Sequence, residues 1–121
     1  MDDDPTTTDP NHYRVLWENP RVRVLEYSDS PGESTHTHRH PDSVMVTLTG
    51  FDRRLTVGPT VRDVSLPPFL ATWLPAQAHR GENVGSTETK VIFIELKESS
   101  GQPTIDGAAP IGPVGEFDAD R

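Results

Sequence analysis

Three histidines alternate with other residues in the stretch STHTHRHPD, which covers residues 34 to 42. They are His36, His38 and His40, three of the five histidines in the chain. In an extended segment, side chains two residues apart lie on one face, so these imidazoles are expected to project together. Two imidazoles at positions i and i+2 can bind one metal ion, and the stretch therefore predicts one edge of a metal site. A solvent-exposed, histidine-rich loop is the alternative interpretation.

A third ligand has to come from another part of the chain, and His79 in the stretch LPAQAHRGEN is the candidate. Pro75 indicates a turn before it, and the residues that follow can enter a new strand. Because the chain has no cysteine, the metal ligands must be nitrogen or oxygen atoms. Neutral imidazoles suit divalent transition metals, so we expect one ion of Fe, Zn, Ni, Co, Cu or Mn. His36 and Asp42 lie close to the His38 and His40 pair and are candidates for an extra ligand.

The segments that must position these histidines are short, rich in alternating or β-branched apolar residues, and bounded by Gly or Pro. Seven of them are HYRVLWEN, RVRVLEYS, SVMVTLTG, RRLTVG, VRDVSL, LATWLP and TKVIFIELK. No window sustains a helical period over about ten residues or more. Short strands at this density predict an all-β fold, either a sandwich or a jelly-roll barrel.

Acidic residues are concentrated at the two ends of the chain. Residues 1–10 carry four acidic side chains and no basic one, and residues 98–121 carry five against one arginine. Residues 11–97 balance ten acidic with ten basic side chains. We therefore predict a folded domain over 11–97, an unfolded acidic extension at 1–10, and a mostly unfolded Gly- and Pro-rich extension at 98–121. The second extension has apolar residues that could still dock on the domain: Ile105, Ile111, Val114 and Phe117.

The composition also narrows the classes of partner. A charge-balanced domain without a basic stripe argues against nucleic acid. No apolar run approaches the roughly 20 residues of a bilayer-spanning helix, and the N-terminus lacks the basic-then-apolar pattern of a signal peptide. We therefore predict a cytoplasmic protein whose partner is a small molecule, and neither nucleic acid nor a membrane.

The histidine pair lies within a pattern that resembles the first motif of the cupin superfamily. In that motif a glycine precedes an HxH pair, and a second glycine closes the next strand. Here Gly32 is followed after five residues by His38-Arg39-His40, and then by Gly50. The resemblance covers about residues 13–97 and implies a double-stranded β-helix, a jelly-roll barrel with the metal on its inner face.

The stretch around His79 resembles the second cupin motif, in which a proline, a glycine and a histidine are followed by an asparagine. Pro75, His79 and Asn83 match it, whereas Gln77 stands where the motif has its glycine. Asn83 is expected to support the metal ligands from outside. The stretches HRHPDSV, PAxxH and VIFIELK are also similar to small single-domain cupins, some of which are named for β-alanine degradation.

The glutamate that usually serves as a fourth cupin ligand is missing, because its position falls on Ser43 or Val44. If Ser43 faces the metal, then Val44, Val46 and Leu48 face outward and need cover, which favours a homodimer. If Val44 faces inward, its side chain packs the barrel and the metal has three imidazole ligands only. The sequence leaves both registers open.

Four residues are candidates for contact with a substrate. The guanidinium of Arg53 suits a carboxylate, although the RR pair to which it belongs is more commonly a solvated strand edge. Trp73 and Phe93 could line the pocket, although aromatic residues in strands are more often plain core. Glu95 alternates with Phe93 and could face the cavity as a base.

The resemblance implies a metal-dependent enzyme that acts on a small polar molecule at a three-histidine site. With Fe the reaction would be dioxygenase-like, and with Zn or Ni it would be that of a lyase, an isomerase or a hydrolase. The alternative is a non-catalytic cupin that binds or senses a small ligand.

Overall fold

The computed structural model describes residues 3–98 and 111–114. Within them the elements are α1 (Pro5–Thr8), β1 (Tyr13–Glu18), β2 (Val22–Asp29), β3 (His38–His40), β4 (Ser43–Thr47), β5 (Phe51–Val57), β6 (Thr60–Leu66), β7 (Ala71–Leu74), β8 (Gln77–Asn83) and β9 (Thr89–Leu96). The helix α1 is a single turn, and no helical segment of the described residues has the length and hydropathy needed to cross a bilayer.

The strands of the described residues form two antiparallel sheets. The five-stranded sheet has the order β1-β2-β9-β4-β7, and the four-stranded sheet has the order β3-β8-β5-β6. Strands that are distant along the chain lie side by side, since β9 pairs with both β2 and β4, and β8 pairs with both β3 and β5. The prediction of an all-β jelly-roll barrel is confirmed.

Side chains point alternately into the barrel and out of it. In β9 every second residue from Thr89 to Glu95 is buried, as expected for a strand with one face on the core. The inward side chains form one apolar cluster, which consists of Tyr13, Leu25, Tyr27, Met45, Phe51, Leu66, Leu74, Val91 and Phe93. Each large apolar side chain of this kind contributes about 1.5–3 kcal/mol when it is removed from water.

Strand β4 settles the register that the sequence left open. Ser43 and Met45 are buried, whereas Val44 and Val46 are half-buried. Ser43 therefore lies on the inner face, where its hydroxyl donates to the carbonyl oxygen of Pro41 at 2.8 Å. Val44 and Val46 lie on the outer face of the five-stranded sheet.

Residues 3–10 differ from the prediction of an unfolded extension. They include the helical turn α1, which Asp4 caps by accepting a hydrogen bond from the backbone N–H of Thr6 at 2.9 Å. Asp4 also pairs with Arg23 at 2.8 Å, and Asp9 is only 5% exposed. Composition indicated disorder because this acidic run has no basic neighbour in the sequence. Its partners come from other strands, which sequence composition does not show.

Part of the predicted C-terminal extension packs on the domain. Val114 forms an antiparallel bridge with Trp73 at the edge of β7, and its N–H donates to the carbonyl of Trp73 at 2.9 Å. Ile111, also predicted to be able to dock, is half-buried. Ile105 and Phe117 lie outside the described residues.

Candidate metal centre

Three histidines meet on two paired strands of the four-stranded sheet. β3 and β8 are antiparallel, with His38 opposite His79 and His40 two residues further along β3. Cross-strand neighbours and residues two apart share a face of a sheet, so the three rings project together into the barrel. Each ring offers one nitrogen, and these three atoms lie within 4.8 Å of one another. A group of nitrogens at this spacing could hold one metal ion.

The three imidazoles are buried and uncharged. Their exposed fractions are 1% for His38, 0% for His40 and 6% for His79. Burial lowers the pKa of His38 and lowers those of His40 and His79 well below the ordinary value, because an imidazolium would lose its hydration there. Neutral imidazole is the form that binds a metal.

Hydrogen bonds behind the rings set the tautomers of His38 and His79. The Nδ1 of His38 lies 2.9 Å from the carbonyl oxygen of His36, which can only accept, so Nδ1 carries the proton. The Nδ1 of His79 lies 2.7 Å from Oε1 of Gln77. The backbone N–H of Gly112 donates to the same Oε1 at 2.7 Å, which identifies that atom as the amide oxygen. In both rings Nε2 is therefore left with the lone pair that can bind a metal.

His40 has no hydrogen-bond partner on either ring nitrogen among the described residues, although the ring is fully buried. Its Nδ1 lies 3.6 Å from Oε2 of Glu95, an atom that also lacks a hydrogen-bond partner there. Leaving a buried polar atom unpaired costs about 1–3 kcal/mol. An ion on Nε2 would supply the missing partner, and Glu95 is placed behind Nδ1 as in carboxylate–histidine–metal arrangements. The residues present therefore fit a divalent metal ion.

Glu95 is held from its other side by a cation. Nε of Arg23 donates to Oε1 of Glu95 at 2.8 Å, and the same guanidinium pairs with Asp4. Burial raises the pKa of the Glu95 carboxyl even though Arg23 donates to it. Glu95 faces inward, as its alternation with Phe93 predicts, but it lies behind His40 and is not among the described residues that line the cavity.

Tyr13 places one further polar atom beside the histidines, and the sequence analysis missed it. Its hydroxyl lies 3.3 Å from Nε2 of His38, and because this nitrogen has the lone pair, the phenol donates. Burial raises the pKa of Tyr13 well above its ordinary value, so the phenol keeps its proton. The only signal in the sequence was the alternation of the first strand, which does not identify the strand with which Tyr13 pairs.

The rings of His38 and His79 face a cavity with an empty volume of about 460 Å³, its open mouth included. Most of the lining is aliphatic or aromatic, and Phe93, a candidate for substrate contact, is part of it. The ring of Phe93 stacks on His40, with centroids 5.0 Å apart and an interplanar angle of 26°. The cavity is therefore an apolar space with the histidines in its wall.

Arg53 also reaches this cavity, but it is already paired. Its NH1 donates to Asp29 and its NH2 donates to the hydroxyl of Tyr27, both at 2.7 Å. Tyr27 donates to Asp29 in turn, and the side-chain amide of Asn83 donates to Asp29 at 3.0 Å. Gly81 leaves room for the guanidinium, since a Cβ there would lie 2.6 Å from Nε of Arg53. Asn83, predicted to support the metal ligands, belongs to this network and has no hydrogen bond to the histidines in the described part of the chain.

A solved structure shares both sequence and fold with this chain. It is a cupin domain protein from Bordetella pertussis Tohama I, 30% identical, aligned over 71% of this chain and 92% of that chain, with a TM-score of 0.67. This chain belongs to the cupin superfamily. No protein-family model and no curated protein matches the sequence.

Two further structures resemble this cupin at lower identity. A cupin superfamily protein from Desulfitobacterium hafniense DCB-2 is 23% identical, aligned over 71% of this chain and 76% of that chain, with a TM-score of 0.54. The polyketide cyclase RemF from Streptomyces resistomycificus is 20% identical, aligned over 77% of this chain and 69% of that chain, with a TM-score of 0.52. At these identities the likeness shows the fold alone.

The position of the usual glutamate ligand is occupied in this cupin by Ser43, whose hydroxyl bonds to a backbone carbonyl. Within the described residues, the group that could hold a metal consists of His38, His40 and His79, with no carboxylate. The structure therefore brings together three imidazoles, and an ion bound by them would have its remaining coordination positions open to water or a ligand.

Three other candidate residues of the sequence analysis lie away from these histidines. The side chain of His36 is 82% exposed and lies 3.0 Å from Asp9, because β3 begins at His38 and its alternation does not extend to His36. The carboxylate of Asp42 accepts from the backbone N–H of Ala76 at 2.9 Å. Trp73 is 37% exposed and lies on the outer face of β7, so it does not line the cavity.

Proposed function

We propose that this cupin is a metal-dependent enzyme with one divalent transition metal ion bound through Nε2 of His38, His40 and His79. The observation that carries the proposal is the fully buried ring of His40, whose nitrogens lack hydrogen-bond partners among the described residues. Fe, Zn, Ni, Co, Cu and Mn are all compatible with the ligand set. Such an ion supplies Lewis-acid polarisation of a substrate oxygen, or dioxygen chemistry when it is redox-active, which corresponds to a lyase- or isomerase-like or a dioxygenase-like reaction.

The side chains around the site provide orientation and exclude water. The phenol of Tyr13 can turn from Nε2 of His38 toward a substrate oxygen and stabilise negative charge that develops there. Phe93 and the aliphatic lining keep water away, which strengthens that hydrogen bond. Gln77 holds the ring of His79 from behind by a hydrogen bond, and Glu95 lies 3.6 Å behind Nδ1 of His40.

The lining also suggests the class of substrate. Arg53 and Asp29 form a buried pair without net charge, so the cavity offers no unpaired cation at this position to an anionic ligand. The surrounding wall is mainly apolar. We therefore narrow the small polar molecule of the sequence analysis to a neutral molecule with an apolar or aromatic body and an oxygen-bearing group. The similarity to cupins named for β-alanine degradation and the cytoplasmic location both remain predictions.

A non-catalytic small-ligand-binding cupin is the second candidate. It is favoured by the absence of Asp and Glu from the described residues that line the cavity, so no carboxylate there serves as a general base. Asp9, Asp29 and Glu95 are buried carboxylates described above: Asp9 lies behind His38, 3.5 Å from its Nδ1, and pairs with His36, whereas Asp29 and Glu95 are each bonded to an arginine. In this second candidate the metal and the apolar cavity would bind a ligand without converting it.

Metal binding is tested by elemental analysis and by titration with Zn²⁺, Ni²⁺, Co²⁺ and anaerobic Fe²⁺. Wild-type protein is expected to bind one equivalent, and His79→Ala should weaken the affinity by more than about 100-fold. His36→Ala is the matched control, because it removes a histidine from the same sequence cluster that lies outside the three-histidine site. Equal metal binding in wild type and His79→Ala would contradict the proposal.

Catalysis is tested separately on the loaded protein with neutral diketones and other enolisable ketones. We expect turnover in wild type and a loss of kcat in Tyr13→Phe at unchanged metal content, because a hydrogen bond from the phenol to the substrate oxygen strengthens as negative charge develops there. Ligand binding without turnover of any of these compounds would favour the non-catalytic cupin.

We also propose a homodimer that uses the outer face of the five-stranded sheet. An apolar row crosses all five strands there, formed by cross-strand neighbours: Trp17, Val24, Ile94, Val44 and Trp73. Trp17 is 55% exposed in the single chain. Sedimentation at micromolar concentration should give a dimer for wild type, a monomer for Trp17→Glu, and a dimer for Val61→Glu, an equally exposed residue of the other sheet. A monomeric wild type would refute this assembly.

A further inference from the structure

Residues 111–114 close one side of the cavity. Val114 pairs with Trp73 of β7, and NH1 of Arg62, on β6, donates to the carbonyl oxygen of Ile111. β7 and β6 are the last strands of their respective sheets, so the segment joins the two sheets where neither has a further strand. Residues 112 and 113 are buried there and line the same cavity as His79.

Gly112 fits this position closely. Its φ is +79°, in the region that favours glycine. A Cβ on it would lie 2.7 Å from Cδ1 of Leu55. The segment is therefore packed against the barrel without room for a side chain at this residue.

Gln77 connects the segment to a metal ligand. Its Oε1 accepts from the backbone N–H of Gly112 at 2.7 Å, and its Nε2 donates to the carbonyl of Gly112 at 3.2 Å. The same Oε1 accepts from Nδ1 of His79 at 2.7 Å. One side-chain amide thus holds both the peptide of the segment and the outer nitrogen of the ring. A glycine, which the resembling cupin motif has at this position, could make neither bond.

We propose that residues 111–114 are a wall of the metal site that positions His79 through Gln77, an inference that rests on the proposed metal site. A docked segment fixes the amide of Gln77, which fixes the ring of His79 with Nε2 inward. Metal binding and docking of the segment therefore strengthen each other by the same factor, because coupling between two sites is reciprocal. Residues 112 and 113 also limit the size of the ligand that the cavity accepts.

The first test loosens the segment away from the histidines. Arg62→Ala removes the donor to Ile111, and Arg54→Ala is the matched control, since Arg54 pairs with Asp63 at the surface. Zn²⁺ affinity, measured by competition with a chelator, should fall about five-fold or more in Arg62→Ala and stay at the wild-type value in Arg54→Ala. In wild type, Zn²⁺ should slow hydrogen exchange at the N–H groups of Gly112 and Val114 by the same factor.

The second test separates positioning from space filling at Gln77. Gln77→Leu keeps the volume but removes the acceptor, so Zn²⁺ affinity should fall about ten-fold or more. Gln77→Glu keeps an oxygen for both N–H donors and should recover most of that loss, along with the absorption spectrum of the Co²⁺ form. A purely space-filling role predicts that both variants keep the wild-type Zn²⁺ affinity.

The outcomes distinguish this inference from the proposed function. Zn²⁺ bound equally well by wild type, Arg62→Ala and Gln77→Leu would overturn the wall and positioning role and leave the three-histidine site intact. Exchange at Gly112 and Val114 that does not change on Zn²⁺ addition would overturn it as well. A wild type that binds no metal would overturn the proposed function and this inference with it.

Discussion

Two buried polar clusters lie in the barrel of this cupin, and they are built in opposite ways. The arginine cluster consists of Tyr27, Asp29, Arg53 and Asn83, which hydrogen-bond to one another. The histidine cluster consists of His38, His40 and His79. The buried side-chain atoms that lack a partner among the described residues are the two ring nitrogens of His40 and one oxygen of Glu95, directly behind it.

The difference separates stability from function. A buried polar group costs free energy unless it is hydrogen-bonded, and a fully bonded cluster rigidifies the fold around it. The arginine cluster meets that condition with protein atoms alone. The histidine cluster does not meet it among the described residues, which is the observation behind the proposed metal ion. The two clusters should therefore respond in opposite ways to mutation and to metal.

The largest effect is expected from Arg53→Met. This change leaves Asp29 as a buried carboxylate without its cation, and breaking a buried ion pair from one side costs about 3–5 kcal/mol. Urea denaturation should show that loss in the free energy of unfolding, while Zn²⁺ affinity stays close to that of wild type.

Arg54→Ala is the control for this prediction, because Arg54 forms an ion pair with Asp63 at the surface. Such exposed pairs contribute little, so its unfolding curve should overlay that of wild type. A small loss in Arg53→Met would mean that the arginine cluster is not a stabilising network.

The next largest effect concerns the metal itself. Zn²⁺ at 100 times its dissociation constant should stabilise the wild type by about 2.7 kcal/mol, since it binds only the folded protein. His38→Ala should abolish this gain, whereas Asn83→Ala should lower the baseline stability and keep the gain. Thermal unfolding with and without Zn²⁺ checks both. A metal-induced gain that survives in His38→Ala would place the ion elsewhere.

The elements that sequence could predict are those whose signal is local. Alternation between Gly and Pro boundaries predicted the strands, and the i, i+2 spacing predicted that His38 and His40 share a face. The same rule misplaced His36, because alternation holds only within a strand and β3 begins after it. Local pattern therefore specified the strand faces but not where each strand starts.

The features that sequence could not predict depend on partners distant along the chain. Glu95 was predicted to face the cavity, and Arg23, 72 residues away in sequence, draws it behind His40 instead. Asp9 was assigned to an unfolded extension, and its carboxylate accepts from the backbone N–H of His36. Tyr13 reaches His38 only because β1 pairs with β2. None of these contacts leaves a periodic or compositional trace.

Asp29→Asn tests the arginine cluster by pH. Burial alone would raise the pKa of Asp29, but hydrogen bonds from Tyr27 and Arg53 lower it below its ordinary value of 3.8. A carboxyl whose pKa is lower in the folded than in the unfolded protein stabilises the folded state at pH values above its unfolded pKa. This contribution disappears as the pH falls through its folded pKa. The free energy of unfolding of the wild type should exceed that of Asp29→Asn by about 2 kcal/mol at neutral pH, as expected for hydrogen bonds to a charged group.

The difference between wild type and Asp29→Asn should therefore be constant well above pH 3.8 and shrink below it. Chemical denaturation in buffers from neutral pH down to the acid limit of folding measures it. A difference that shrinks between pH 7 and 5 instead would show that another group, such as a histidine, controls it.

The smallest effect is expected when the same substitution, to leucine, is made in each cluster. This pair of variants compares the two clusters most directly. His40→Leu and Asn83→Leu both replace a side chain of 0–1% exposure with leucine. In the metal-free protein, His40→Leu removes two unpartnered nitrogens and should raise the free energy of unfolding by about 1 kcal/mol. Asn83→Leu strips partners from Asp29 and Thr87 and should lower it by about 1–3 kcal/mol. If both variants lose stability equally, the ring of His40 has a partner within the chain, and the reason for assigning its Nε2 to a metal is removed.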